Sequence, residues 1–112
     1  MLRAAAFVVS LAVAASAAAH HGAGTFELGK TVSFPGAKLT KVEMLNPHSW
    51  LYFEVTGTDG KVSKYRCEMR SAHVLRRSGW SPELLPTGAR VDITASPDRA
   101  DVASCYLSLI HI

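Results

Sequence analysis

The stretch VSKYRCEMR, residues 62–70, alternates without a break, with Tyr65, Cys67 and Met69 set against Lys64, Arg66, Glu68 and Arg70. A period of two makes this a strand with one core face and one charged solvent face, and it turns Cys67 inward. A strand that is apolar on one side needs a packed sheet behind it, so the rest of the chain must supply partners. It does so four more times. TVSFPGAKLTKVEML carries Val32 and Phe34 on one parity, breaks at Pro35-Gly36, and resumes at Leu39 and then at Val42 and Met44, as a long bulged strand would. Asn46-Pro47 ends it, because proline gives the ladder no donor and extends the residue before it. SWLYFEVTG is dense in aromatic and β-branched residues, and Asp59-Gly60 predicts a tight hairpin turn with positive φ at both central residues.

The period changes at SAHVLRRSGW. Ser71 caps the predicted short helix, Val74 and Leu75 pack down, and Gly79 stops it. SPELL repeats the start signal, with Ser81 as cap and Pro82 in the first turn. ARVDITASP then alternates through Val91, Ile93 and Ala95, and CYLSLIHI through Cys105, Leu107 and Leu109. Three strands, a helix and two strands predict an all-β fold with one short helix, an OB-fold-like five-stranded barrel. The alternative is a small open β-sandwich with the helix over one end. In the OB order the third strand lies beside the fifth, which sets inward Cys67 next to inward Cys105. A disulfide between them is the default for an exported chain, whereas a metal-binding or catalytic thiol would call for a CxxC pair or an adjacent histidine.

Export is read from the front of the chain. Arg3, an alanine-rich apolar run over residues 4–15 and small residues up to His20 follow the order of a secretory signal peptide. The run is too short and too rich in alanine for a membrane span, which takes about 20 mainly bulky apolar residues. The expected organisation is a signal at residues 1–19, a flexible segment at 20–30 and the barrel at 31–112, with the mature protein periplasmic or extracellular and without a stable membrane span. Removing the signal leaves one small domain with 11 basic and 9 acidic residues, a net charge of +2. So nearly neutral a domain is not expected to take a nucleic-acid partner. A monomer is expected, and no feature identifies a protein partner.

Several cuts satisfy the small-residue rule, among them one before His20 and one before Ala18. The first places a free amine and the His20 ring on one ion, with His21 or another imidazole completing a nitrogen-rich set suited to Cu(II). The second gives Ala18-Ala19-His20, whose amine, two amides and imidazole form a planar four-nitrogen site for Cu(II) or Ni(II).

Asn46-Pro47-His48-Ser49-Trp50 falls between the first two strands, a loop that borders the ligand face of OB barrels. His48 is read either as a metal ligand or ligand contact oriented by Asn46, with Trp50 beside it, or as a residue that satisfies a backbone carbonyl while Asn46 caps the turn. His73 and His111 are lone histidines without ligand spacing. Arg76, Arg77, Lys61, Lys64, Arg66 and Arg70, with Tyr65 and Trp80, form either a solvated basic region or an anion site. The acidic residues, Glu68 among them, show no paired spacing of a catalytic kind, and the common nucleotide, serine-hydrolase and zinc-protease motifs are missing.

The His-His-Gly run followed by Phe26, the stretch LTKVEMLNPHSWLYFEV, and LRRSGWSPELLPTGARVDITASP together resemble a family of small exported bacterial proteins catalogued as a domain of unknown function, family 6152. The resemblance covers nearly the whole mature chain, implies a compact β-barrel and implies no established activity. The chain departs from the family pattern at Gly22, where serine is usual, at Ser78, and at Glu68-Met69-Arg70-Ser71, where glycines are common. It also stops at His111-Ile112 inside an apparent strand, as a truncated chain would. The resulting expectation is an exported binding barrel that holds copper through His20, His21 and His48. The alternative is a metal-free adaptor or ligand-binding barrel that uses Asn46, His48 and Trp50 for a small anionic or envelope-derived ligand. An enzyme is the least favoured reading, since OB barrels serve many unrelated tasks.

Overall fold

A computed structural model describes residues 24–112 of the protein. The signal-like segment, both candidate cut sites, His20 and His21 lie outside the described residues. The strands are β1 (Val32–Glu43), β2 (Ser49–Thr56), β3 (Val62–Met69), β4 (Arg90–Pro97) and β5 (Ser104–His111). They close into one barrel in the order β1-β2-β3-β5-β4. β1 pairs with both β2 and β4, which closes the sheet and sets the open sandwich aside. All neighbours are antiparallel except β3 and β5, which run parallel over three residue pairs.

The shifting parities of β1 have a direct cause. Its register slips between Phe34 and Ala37, where Gly36 takes φ +64°, and again between Leu39 and Lys41. Each slip moves the inward set by one residue, so Ala37 and Leu39 are fully buried while Val32, Phe34, Val42 and Met44 pack against the core. Leu51, Phe53, Cys67, Met69, Val91, Ile93 and Ala95 fill the interior. Phe34, Phe53 and Tyr65 form a ring cluster with centroids 4.7–5.6 Å apart.

The helix α1 (Ala72–Arg77) follows β3. The Ser71 hydroxyl accepts the Val74 N–H at 3.2 Å, and Gly79, at φ +90°, turns the chain away. Ala72 and Leu75 are buried. The second start signal gives only a 3-10 turn, Pro82–Leu84, and Ser81 makes no side-chain cap to its backbone.

Three expectations are corrected. The β2–β3 connection is a three-residue loop with a left-handed third position rather than a two-residue turn. Gly57 and Lys61 pair across it (2.8 Å), and only Gly60 has positive φ, at +80°, while Asp59 accepts the Lys61 N–H instead. In β5 the register slips opposite Thr94 and Ala95, because Ala95 faces Leu107 while Thr94 faces Leu109. The extra residue, Ser108, reverses the alternation, so Leu109 is 54% exposed and Ile110 packs on the core in its place. Finally, the segment read as flexible is tied down before its end. Phe26 is buried and bridges to Asp98, Glu27 donates to the Pro97 carbonyl (2.8 Å), and Arg99 donates to that of Thr25 (3.0 Å).

Cys67 and Cys105 are register partners on β3 and β5 and form the disulfide, with 4.4 Å between their Cα atoms. The pairing is the one that the strand order anticipated.

Candidate functional site on the outer face of β2 and β3

The inward set of β2 and β3 leaves Trp50, Tyr52, Arg66 and Glu68 facing outward. Trp50 lies opposite Glu68 and Tyr52 opposite Arg66. The Arg66 guanidinium sits over the Trp50 ring, 5.0 Å from its centroid, and Lys41 over the Tyr52 ring at 5.8 Å. Lys41 also pairs with Glu43, and this carboxylate, first by hydrogen bond and then by charge, holds the ammonium above its ordinary pKa. Tyr52, Lys64, Tyr65, Arg66 and Ala103 border a shallow cleft of about 180 Å³ where the β4–β5 loop meets the face.

His48 stands at the end of this face. Its Nδ1 lies 2.8 Å from Glu68 Oε1, within hydrogen-bonding distance. Glu68 is only 7% exposed, so the alternation that assigned it to the charged solvent face is corrected. A buried carboxylate needs a partner, and the imidazole supplies one. Ser96 and Ser104, also outward by parity, are buried as well. Beside them Tyr106, the register partner of Glu68 on β5, packs against Phe26 with centroids 5.5 Å apart. Phe26, Tyr106, Glu68 and His48 therefore follow one another across the outside of the barrel.

The loop that carries His48 is stitched to the start of α1. Ser49 is fully buried, and its hydroxyl accepts from the Leu45 N–H (3.1 Å) and donates to the Leu45 carbonyl (3.2 Å). Ala72 donates to the same carbonyl at 2.7 Å, and Ser49 donates to the Arg70 carbonyl at 3.1 Å. The Asn46–Pro47 peptide is cis, and Asn46 Oδ1 accepts the His73 N–H at 3.3 Å. Asn46 thus satisfies an orphan donor in the first turn of α1, and Glu68 pairs with the His48 ring.

The basic region does not assemble as one patch. Lys61 and Arg70 lie beyond opposite ends of an eight-residue strand, about 26 Å in length. Tyr65 turns into the ring cluster, and Trp80 borders a separate groove of about 540 Å³ with Met69, Arg70 and β5. His73 and His111 are exposed. Among the described residues no group of three or more His, Cys, Asp or Glu side chains is close enough to hold a metal ion, and no helix is long and apolar enough to cross a membrane.

The model of the family of unknown function DUF6152 matches residues 7–105. The chain belongs to this family. No curated protein matches it. Among solved structures the barrel is similar to the mitochondrial single-stranded DNA binding protein Rim1 of S. cerevisiae, at 16% identity and a TM-score of 0.54, over 73% of this chain and 91% of that one. At that identity the likeness shows the OB fold alone. The DUF6152 chain is accordingly a small OB-type β-barrel domain, and its disulfide is consistent with an oxidising compartment.

Proposed function

We propose that this DUF6152 protein is exported, is processed near His20, and binds copper through the imidazoles of His20 and His21 together with His48. The observation that carries the proposal is the His48–Glu68 pair. A histidine bound to a metal commonly gives its other ring N–H to a carboxylate, which fixes the ring's orientation and raises its basicity. Glu68 meets Nδ1 in that manner, which supports a ligand role for His48. One imidazole with a carboxylate behind it does not make a site by itself. The remaining nitrogens come from the N-terminal segment, whose residues His20 and His21 lie six and five positions before the anchored Phe26.

The test is native mass spectrometry and Cu(II) titration of protein exported and processed by a bacterial host. The processed chain is expected to begin at Ala18 or His20 and to retain one copper. His20→Ala with His21→Ala should abolish tight binding while leaving the metal-free melting temperature within about 2 °C of wild type. Undiminished binding in that double variant would sink the proposal.

A second reading rests on a different observation, the aromatic and cationic face of Trp50, Tyr52 and Arg66. It makes the domain a metal-free binder of a small anion or envelope-derived ligand. Rim1 is named for single-stranded DNA, but acids are interspersed among the cations here: Glu43 pairs with Lys41, and Glu54 is the register partner of Lys38 and Lys64. Such a face favours a small anion over a polyanion. Chemical-shift changes confined to Trp50, Tyr52 and Arg66 on adding glycan phosphates without metal would favour this reading, and a spectrum left unchanged would count against it.

A further inference from the structure

We infer that the groove along the free edge of β5 is a docking site for an extended segment of another protein, which adds to the barrel as a strand and sets a carboxylate against Arg70. The site is separate from the outer face of β2 and β3, and the inference does not depend on the copper reading. β5 runs for eight residues, but β3 pairs with it only from Ser104 to Tyr106. Further on, β4 holds one edge as far as His111. On the other edge, among the described residues, no register pair and no backbone hydrogen bond from a loop or from α1 takes over from β3. The N–H and C=O groups that β5 turns away from β4 beyond Leu107 are therefore unpaired, which makes this stretch a template for one more strand. From Cys105 to Ile112 it carries no lysine, proline or carboxylate of the kind that protects an edge.

The groove beside this edge decides what kind of strand fits. Its larger part, about 540 Å³, is bordered by β5 from Tyr106 to Ile110 and by Met69, Arg70 and Trp80. Trp80 and Ile110 also border a second recess of about 260 Å³, which Leu84 lines, so the two parts form one channel. Leu84 and Leu109 are each more than half exposed, apolar surface that alternate side chains of an added strand would cover. Arg70 is the one charged residue bordering either part among the described residues, and no ion pair engages it. Strand addition takes its affinity from main-chain hydrogen bonds and its specificity from pockets for alternate side chains. The occupant that fits is thus extended, apolar at alternate positions and acidic where it passes Arg70. A second copy of the barrel fits less well. Its own β5 would arrive flanked by its own Trp80, and it would bring a second arginine rather than a carboxylate to the contact.

A library of random linear peptides displayed on phage, selected on the intact folded chain, tests this. The selected peptides are expected to alternate apolar and polar positions, to carry an aspartate or glutamate, and to bind in the micromolar range. On ¹⁵N-labelled protein they should shift the amides of Met69, Arg70, Trp80 and residues 107–111 and slow hydrogen exchange along that edge of β5. Methylating one alternate set of peptide backbone nitrogens should weaken binding about tenfold, while methylating the other set leaves it nearly unchanged. Arg70→Glu, at an exposed position, should weaken it about fivefold, and exchanging the peptide's acid for lysine should restore it. The inference is overturned if no peptide is selected, if binding ignores both methylated sets, or if the shifts fall on Trp50, Tyr52 and Arg66 instead. It is also overturned if the edge amides already exchange slowly in the free protein, since the edge is then covered. The same holds if they shift on diluting the protein alone, since a second copy then occupies the edge.

Discussion

At the scale of single residues, Asp98 shows how the N-terminal segment is tied to the barrel. Its Oδ1 accepts the N–H groups of Ala100 (2.8 Å) and Asp101 (3.0 Å), and its backbone bridges Phe26. The Ala100 hydrogen bond first, and that of Asp101 second, hold the carboxyl below its ordinary value of 3.8. A carboxylate whose folded pKa is depressed contributes stability that is fully present above the unfolded value and is lost as the pH falls through the folded one. Asp98→Ala should therefore destabilise the domain at neutral pH, and the difference from wild type should shrink below about pH 4. Urea unfolding from pH 7 down to pH 2.5 measures it. A difference that stayed constant over that range would show that the two turn hydrogen bonds do not depend on the charge.

At the scale of elements, the sequence carried the strands and the helix because each rests on local pattern. Tyr65, Cys67 and Met69 alternate whatever lies around them, and Ser71 and Gly79 mark the limits of α1 by their own backbone chemistry. What local pattern does not carry is register. Glu68 reads as solvent-facing by parity, and its burial against His48 becomes visible only when β2 and β3 are aligned, with Trp50 opposite Glu68 and His48 diagonal to it. That alignment depends on the length of the turn, and Asp59-Gly60 points to a two-residue turn where the chain makes a three-residue one. A loop longer by one residue moves every cross-strand pair. The bulge at Ser108 was hidden for a related reason, since CYLSLIHI offers no glycine or proline to mark it and the slip is set by pairing with β4. Asn46 has a task that its place in the sequence does not show. Its amide caps α1, a contact between residues 27 positions apart that spacing along the chain does not reveal.

At the scale of the whole molecule, the barrel is closed at its weakest seam by the disulfide. Each antiparallel neighbour of β3 and β5 offers five or more residue pairs, whereas these two strands meet in parallel over three, with Cys67 and Cys105 at the centre. The same seam carries Tyr106 and Glu68 side by side, so it also fixes the outer face on which Phe26 and His48 sit. The bridge spans 38 positions of sequence, and closing a loop of that length removes about 4 kcal/mol of unfolded-chain entropy on the loop-closure model. For a domain this small, that is a large share of the net stability, which is commonly about 5–15 kcal/mol. Replacing both cysteines by serine should therefore lower the unfolding free energy by roughly 3–4 kcal/mol in urea. It should also raise amide exchange first at residues 66–68 and 104–106, before the β1–β2 and β2–β3 ladders respond. Exchange that rose uniformly over the barrel would instead make the bridge a constraint on the unfolded chain alone, with no local part in holding the outer face together.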